Sequence, residues 1–396
     1  MSWLKISTVE ALPVRIPRDR EQARSTAGSP TPLENHEGPY RWSSVFPALY
    51  SVDFETALVR VTLDDGTIGW GEAQAPLAPE VACAIIDRLL WPVLRGAEMD
   101  GSIECIAALW DRMYSTMRVR GQTGGFMLDA ISGVDLALWD LAGKMRGQPV
   151  CSLIPDSICR AEVAAYLSGV PGANVEARVQ HAIARHDEGF RTFKLFYDCS
   201  RQEFLDTLST LRRSLPQDAG IAVDALWRLS PEDAVEFGQG LDEQSALWLE
   251  APLPPEDALA HAALAARIRT PVAIGESYRT RYELAPFLRA GGIGYLQPDL
   301  GRCGLTEGLR IARMARELGI PVVPHLSIAM GPQIAAAIHF AAAVSNSGLL
   351  EFNPHVLSVA NRFLAEHLVC CGGRYRVPSG PGLGVDVRYA PQANNL

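Results

Sequence analysis

The 396-residue chain has no run of the roughly eighteen consecutive apolar residues that a membrane-spanning helix needs. Its opening, Met1-Ser2-Trp3-Leu4-Lys5-Ile6, lacks the basic and apolar regions of a secretory leader and reads directly as an alternating strand. It has no surplus of positive charge. Lys and Arg number 36 against 45 Asp and Glu, a formal net charge of −9, which provides no electrostatic footprint for nucleic acid or an anionic membrane. An acidic chain can still take an acid substrate where a cation sits in the site. The eight cysteines, at 83, 105, 151, 159, 199, 303, 370 and 371, form no C-x-x-C pair and no zinc spacing. They read as reduced thiols, and a cytoplasmic location is expected.

What the chain does have is a repeating event. From residue 219 to 352, a short apolar run ends in an acid or a histidine, and a helix-like stretch follows. The end residues are Asp224, Glu250, Glu276, Asp299, His325 and Glu351, separated by 26, 26, 23, 26 and 26 residues. That interval is one strand, loop, helix and loop. Two earlier units, Glu162–Leu167 and Thr192–Phe196, each followed by a helical pattern, bring the strands to eight. Eight near-continuous apolar strands alternating with helices predict an α/β fold, a (β/α) TIM-type barrel covering residues 126–354.

The region before it has a different style. A strand over 4–16 and a hairpin about Asp64-Asp65-Gly66, followed by helical patterns at 78–91 and 103–117, predict an N-terminal α+β capping domain over residues 1–125. Residues 17–50 follow no period and carry Arg18, Arg20, Arg24, His36, Tyr40, Arg41 and Trp42. That stretch reads either as a lid over an anionic ligand or as a surface loop. A long apolar helix from Phe126, stopped at Gly147-Gln148-Pro149, joins the two parts. Residues 355–396 are expected to return to the capping domain.

Barrels of this kind gather the C-terminal ends of their strands at one mouth. Asp224, Glu250 and Glu276 then share a small volume, where like charges raise one another's pKa unless a cation intervenes. Three oxygen ligands favour Mg²⁺ or Mn²⁺ over zinc. Asp299 beside His325 fixes the imidazole tautomer and raises the basicity of the far nitrogen. Lys194 brings a cation to the mouth, as a carboxylate clamp or, with a depressed pKa, a base. Glu351 donates a hydrogen bond if protonated, or orients a neighbour. His339 reads as a core histidine. These parts suit abstraction of a proton α to a carboxylate. Specificity is expected from the 17–50 loop, with Arg24, His36 and Arg41, and from Tyr166, Trp227, Tyr278 and His355 at the barrel ends.

The helix from Phe126 to Pro149, the stretch Trp248-Leu249-Glu250-Ala251-Pro252 and the stretch Ala273-Ile274-Gly275-Glu276-Ser277 resemble the mandelate racemase and muconate lactonizing enzyme family of the enolase superfamily. Asp299 and His325 are similar to the His–Asp dyad of its mandelate racemase-like subgroup. The resemblance implies a modified, enolase-like barrel with an α+β cap, Asp224, Glu250 and Glu276 as Mg²⁺ ligands, a small-molecule carboxylate substrate, and a homo-oligomer. It also implies the general chemistry of that superfamily, a Lys or His base working with Mg²⁺ that stabilises an enediolate. The subgroup often has Lys-x-Lys at the second strand end; here Lys194 is followed by Phe196, which cannot move a proton. Leu226 stands where a polar residue often follows the first ligand. An acid-sugar (aldonate or aldarate) dehydratase using one histidine therefore leads. An epimerase, racemase or cycloisomerase is second, and a ligand-binding relative without turnover is third.

Overall fold

The computed structural model describes residues 3–18, 38–43 and 48–388. The chain begins with β1 (Leu4–Pro17), followed by the short pair β2 (Tyr40–Ser43) and β3 (Ala48–Ser51) and then by β4 (Asp53–Leu63) and β5 (Ile68–Ala73). A four-stranded antiparallel sheet runs β5-β4-β1-β6, with β6 at Glu98–Met99. The Asp64-Asp65-Gly66 turn closes where predicted. Gly66 takes φ +89°, which a side chain would strain, and its N–H reaches Leu63 O at 3.0 Å. Helices α1 (Pro79–Ile85), α2 (Trp91–Leu94) and α3 (Ile103–Arg118) follow. The stretch between α1 and α2, Ile86–Leu90, is π-helical.

The 17–50 stretch is not wholly irregular. β2 and β3 form their own antiparallel hairpin, in register Tyr40↔Ser51 to Ser43↔Ala48. Alternation fails to show it because exposed and half-buried residues occupy both faces. Arg20, Arg24 and His36 lie outside the described residues.

Helix α4 (Gly125–Arg146) is buried continuously from Met127 to Gly143 and holds the molecule together. Gly71 on β5 and Gly133 on α4 let strand and helix touch; a Cβ on Gly71 would sit 2.0 Å from Gly133 O. Three buried acids on this helix reach in different directions. Asp129 pairs with Arg279 at 3.0 Å. Asp135 accepts from Thr306 N at 2.9 Å and from its hydroxyl. Asp140 accepts from Trp70 N and Leu383 N at 2.8 and 2.7 Å. A one-turn helix, α5 (Val150–Leu153), leads into the barrel.

The barrel runs β7 (Glu162–Ser168), α6 (Val175–Asp187), β8 (Thr192–Phe196), α7 (Arg201–Ser214), β9 (Gly220–Asp224), α8 (Pro231–Glu243), β10 (Leu249–Glu250), α9 (Ala258–Ala265), β11 (Val272–Ile274), α10 (Arg281–Ala290), β12 (Ile293–Leu296), α11 (Leu300–Glu317), α12 (Pro332–Ala343) and β13 (Leu349–Phe352). Capping is as the sequence announces: Ser230 accepts from Asp233 N, with Pro231 in the first turn. The predicted seventh strand, ending in His325, appears only as isolated parallel bridges, Leu296↔Val322, Asp299↔His325 and Val322↔Ser347. Pro321 and Pro324 lack the N–H that a continuous ladder needs. Those bridges and the β13–β7 pairing close the ring. Tyr166, Ala222, Trp248, Ala273 and Val323 fill its interior.

After α13 (Pro354–Asn361), the end of the chain departs from expectation. β14 (Cys370–Cys371) and β15 (Arg374–Arg376) form a hairpin, and β15 pairs antiparallel with β7. β8 meets β7 only from Leu167 onward, so the first half of β7 has an open edge, which β15 covers. Residues 382–386 then dock on α4, where Leu383 N donates to Asp140 at 2.7 Å. Lys144 bridges Asp386 and the Ile68 carbonyl.

Candidate active site

The parallel register aligns the strand ends. Phe196 pairs with Asp224, and Asp224 with Glu250, so side chains from β8, β9 and β10 leave the sheet at one level. Lys194, 1% exposed, lies at the centre. Its Nζ is 2.8 Å from Glu250 Oε1, 2.8 Å from Glu351 Oε1 and 3.5 Å from Asp224 Oδ2. Burial alone would lower its pKa, but Glu250 and Glu351 outweigh this and hold it well above the ordinary lysine value. In this arrangement Lys194 is a charged clamp.

Glu250 accepts three donors: Lys194, the Trp248 indole at 2.9 Å and Gln297 Nε2 at 2.8 Å. Asp224 Oδ1 accepts from Leu226 N at 2.9 Å. Burial pushes the Asp224 carboxyl up, and Glu250 adds to it against the pull of Lys194. Glu276 accepts from Trp227 Nε1 at 2.5 Å on one oxygen and lies 2.9 Å from His325 Nε2 on the other. Burial would raise its pKa, but His325 reverses this and holds it below the carboxylate range.

His325 Nδ1 lies 2.7 Å from Asp299 Oδ2, as the strand-end reading required. The other Asp299 oxygen accepts from Gly301 N and Gln333 Nε2, at 2.8 and 2.9 Å, so the acid cannot rotate away. Burial would lower the imidazole pKa, but Glu276, Glu351 and Asp299 hold it well above the ordinary value. Glu351 accepts from Ser168 Oγ at 2.6 Å and Leu326 N at 2.9 Å, and stands 4.0 Å from His325 Nε2. The seven residues of the expected metal and catalytic set thus converge.

Among the described residues no three His, Cys, Asp or Glu side chains enclose a common metal-sized point. The carboxylates are instead turned toward Lys194, His325 and the two indoles. The donor set still suits a hard divalent cation. Five buried or nearly buried carboxylates face one ammonium and one imidazole, an excess of negative charge on oxygen ligands of the type Mg²⁺ prefers.

The substrate-facing expectations fare less uniformly. Trp227 reaches the mouth, but through Glu276. Tyr166 is fully buried among the interior residues, its ring centroid 5.8 Å from Lys194 Nζ, and forms part of the barrel floor beneath that ammonium. Tyr278 directs its hydroxyl to Pro255 O at 2.8 Å and is 5% exposed. His355 packs on Phe54 with ring centroids 5.1 Å apart. Arg41 donates to Gly38 O and Tyr40 O of its own hairpin. His339 is a core residue, bonded to Cys151 N and Leu383 O.

Several supporting residues were not singled out in the sequence. Trp248 and Gln297 each lie two residues before a strand-end acid, so strand alternation points them inward and could have found them. Ser168, two residues after Tyr166, follows the same rule. Gln333 and the capping-domain pair Glu72 and Gln74 come from distant segments, and no local pattern marks them. Arg302 donates to Gln74 Oε1 at 2.9 Å, so the cap and barrel meet beside the mouth.

The chain matches the mandelate racemase / muconate lactonizing enzyme N-terminal domain over residues 48–155 and the enolase C-terminal domain-like family over residues 177–391. It is 32% identical over 345 residues to a D-galactarolactone cycloisomerase of Agrobacterium fabrum, covering 83% of this chain and 88% of that protein. It is 29% identical over 341 residues to an arabinonate dehydratase of Saccharolobus solfataricus, covering 84% and 88%. An L-rhamnonate dehydratase of Saccharopolyspora erythraea is 30% identical over 347 residues, covering 83% and 82%. The solved structure of a member of the enolase superfamily from Agrobacterium tumefaciens superposes with a TM-score of 0.90 at 31% identity, covering 98% of this chain and 97% of that one. With both halves of the chain matched and the strand-end ladder in place, the protein belongs to the mandelate racemase/muconate lactonizing enzyme family of the enolase superfamily.

Proposed function

We propose that the protein is a Mg²⁺-dependent acid-sugar dehydratase that removes the proton α to a carboxylate and expels the β-hydroxyl as water. The observation that carries this reading is a single complete proton-moving pair. His325 is anchored through Nδ1 to Asp299, and Phe196, its ring 5.4 Å from Lys194 Nζ, occupies the position of a second base. Relatives named as arabinonate, L-rhamnonate and D-galactonate dehydratases support the substrate class, and members of the superfamily are typically Mg²⁺-dependent.

Asp224, Glu250 and Glu276 would hold the cation, which when bound offsets their charge and polarises the substrate carboxylate. His325 Nε2 takes the α-proton, while Asp299 keeps the imidazole in the needed tautomer. Lys194 places a positive charge where negative charge grows on the substrate. The protonated His325 then returns its proton to the departing β-hydroxyl, so one residue serves as base and then as acid. Glu351, held by Lys194, Ser168 and Leu326, keeps the far side of the imidazole polar. The hairpin carrying Arg41, with Arg24 and His36 before it, is proposed to supply substrate contacts.

One relative, the D-galactarolactone cycloisomerase, favours a second reading in which the same proton abstraction opens a lactone. Incubation with a panel of mono- and diacid sugars and their lactones, with Mg²⁺, decides between them by mass. Loss of one water with keto-acid formation is the expected result; conversion at constant mass throughout the panel would select the isomerase.

A further inference from the structure

Two of the three expected ligand carboxylates, Glu250 and Glu276, accept from indole N–H groups. Trp248 reaches Glu250 from inside the barrel, two residues earlier on the same strand, as alternation dictates. Trp227 reaches Glu276 differently, from a turn that leaves β9. Leu226 and Trp227 have φ values of 56° and 58°, and Ala251, whose carbonyl accepts from Trp227 N at 2.6 Å, has φ 47°. Left-handed backbone is uncommon outside glycine. Here it occurs twice in succession after one strand-end acid and once after the next, a concentration typical of functional sites. Bonds from Ala225 N to Glu250 O and Leu229 N to Pro252 O tie this turn to the exit of β10. The turn delivers the indole N–H to Glu276 Oε1, with the ring edge-on to Tyr278 and His261. The other Glu276 oxygen meets His325 Nε2. One carboxylate therefore links Trp227 to the proton-moving pair.

The geometry points to Trp227 as a positioning residue that fixes the rotation of Glu276 and thereby sets the affinity of the cation site. The assignment rests on the reading of Asp224, Glu250 and Glu276 as ligands. A donor on one oxygen leaves the carboxylate few orientations, and partners of this kind carry about 10- to 100-fold in metal affinity. Trp227, like Trp248 on Glu250, is an emitter hydrogen-bonded to an expected ligand, so cation binding should alter its fluorescence.

The test uses the full chain, stripped of metal by chelation and titrated with MgCl₂ by calorimetry and by tryptophan emission at pH 8. The parent is expected to bind with a saturable emission change at the same midpoint. Trp227→Phe should bind about tenfold more weakly and lose the part of that change that Trp227 contributes, leaving that of Trp248. Trp227→His, which keeps a ring N–H, should stay within about threefold of the parent if donation is what matters. Parent-like affinity in Trp227→Phe overturns the role, and so does a loss in Trp227→His equal to that in Trp227→Phe. Should Trp227→Phe fail to fold by circular dichroism, Trp227→His decides alone, a loss of about tenfold counting against the role. A parent that binds no Mg²⁺ sinks the ligand reading and this role together, whereas normal binding in Trp227→Phe sinks only the role.

Discussion

Lys194 sets the charge balance of the barrel mouth. It is the ammonium placed between Glu250, Glu351 and Asp224, and water does not reach it. Removing one partner of a buried ionic cluster leaves the others uncompensated and costs about 3–5 kcal/mol. Lys194→Met is therefore expected to lose stability of that size in urea unfolding with chelator present. An unchanged midpoint would mean that the carboxylates are neutral there and the cluster is not ionic. The acids of this cluster were legible in the sequence because each follows an apolar run, and a parallel strand ends at a barrel mouth; Lys194 was legible as the lone cation inside an apolar strand. Period-2 alternation gives the side on which Tyr166 lies and not its depth along the barrel axis. The contacts of Tyr278 with Pro255 O and of His355 with Phe54 were not legible, because those partners come from other segments.

The contact between β5 and α12 shows how elements are fitted together. Glu72, at the end of β5, is fully buried and accepts from Met330 N at 2.6 Å, Gln333 N at 3.2 Å and the Thr56 hydroxyl at 3.0 Å. A capping-domain acid thus caps a barrel helix, on the backbone of the same Gln333 whose side chain steadies Asp299. Burial pushes the Glu72 carboxyl from 4.5 up to about 7 against those hydrogen bonds. The folded chain then binds more protons than the unfolded chain between these values. Stability from this group is full below about 4.5 and is lost as pH rises through 7, worth roughly 3 kcal/mol. Glu72→Gln should lack that fall when unfolding free energies are compared at pH 5 and pH 8. Parallel profiles for parent and variant would show that Glu72 does not titrate in this way. Among elements, the strands, the Gly66 hairpin and the long helix were readable from periodicity and turn residues. The β2–β3 hairpin and the β15 pairing were not, since the first lacks alternation and the second depends on an edge left open elsewhere. The seventh strand was found through its position in the ladder, although its prolines reduce it to bridges.

At the scale of the whole molecule, α4 carries the reading from fold to chemistry. Its three acids hold the barrel, the capping sheet and the end of the chain to one rod, so the cap sits beside the mouth through Gln74 and Arg302. Among the described residues, that mouth presents one histidine with its acid and one buried lysine, with Phe196 beside the lysine. The proposed reaction is one-base proton transfer at His325 followed by loss of water. Proton NMR in D₂O, with Mg²⁺ and a responsive sugar acid, tests it most directly on the parent and on His325→Asn. The parent should form a keto acid with loss of the α-proton, while His325→Asn should show neither solvent exchange nor keto acid and still bind Mg²⁺. Keto acid at the parent's rate from His325→Asn, or an epimer in place of keto acid from the parent, would contradict it.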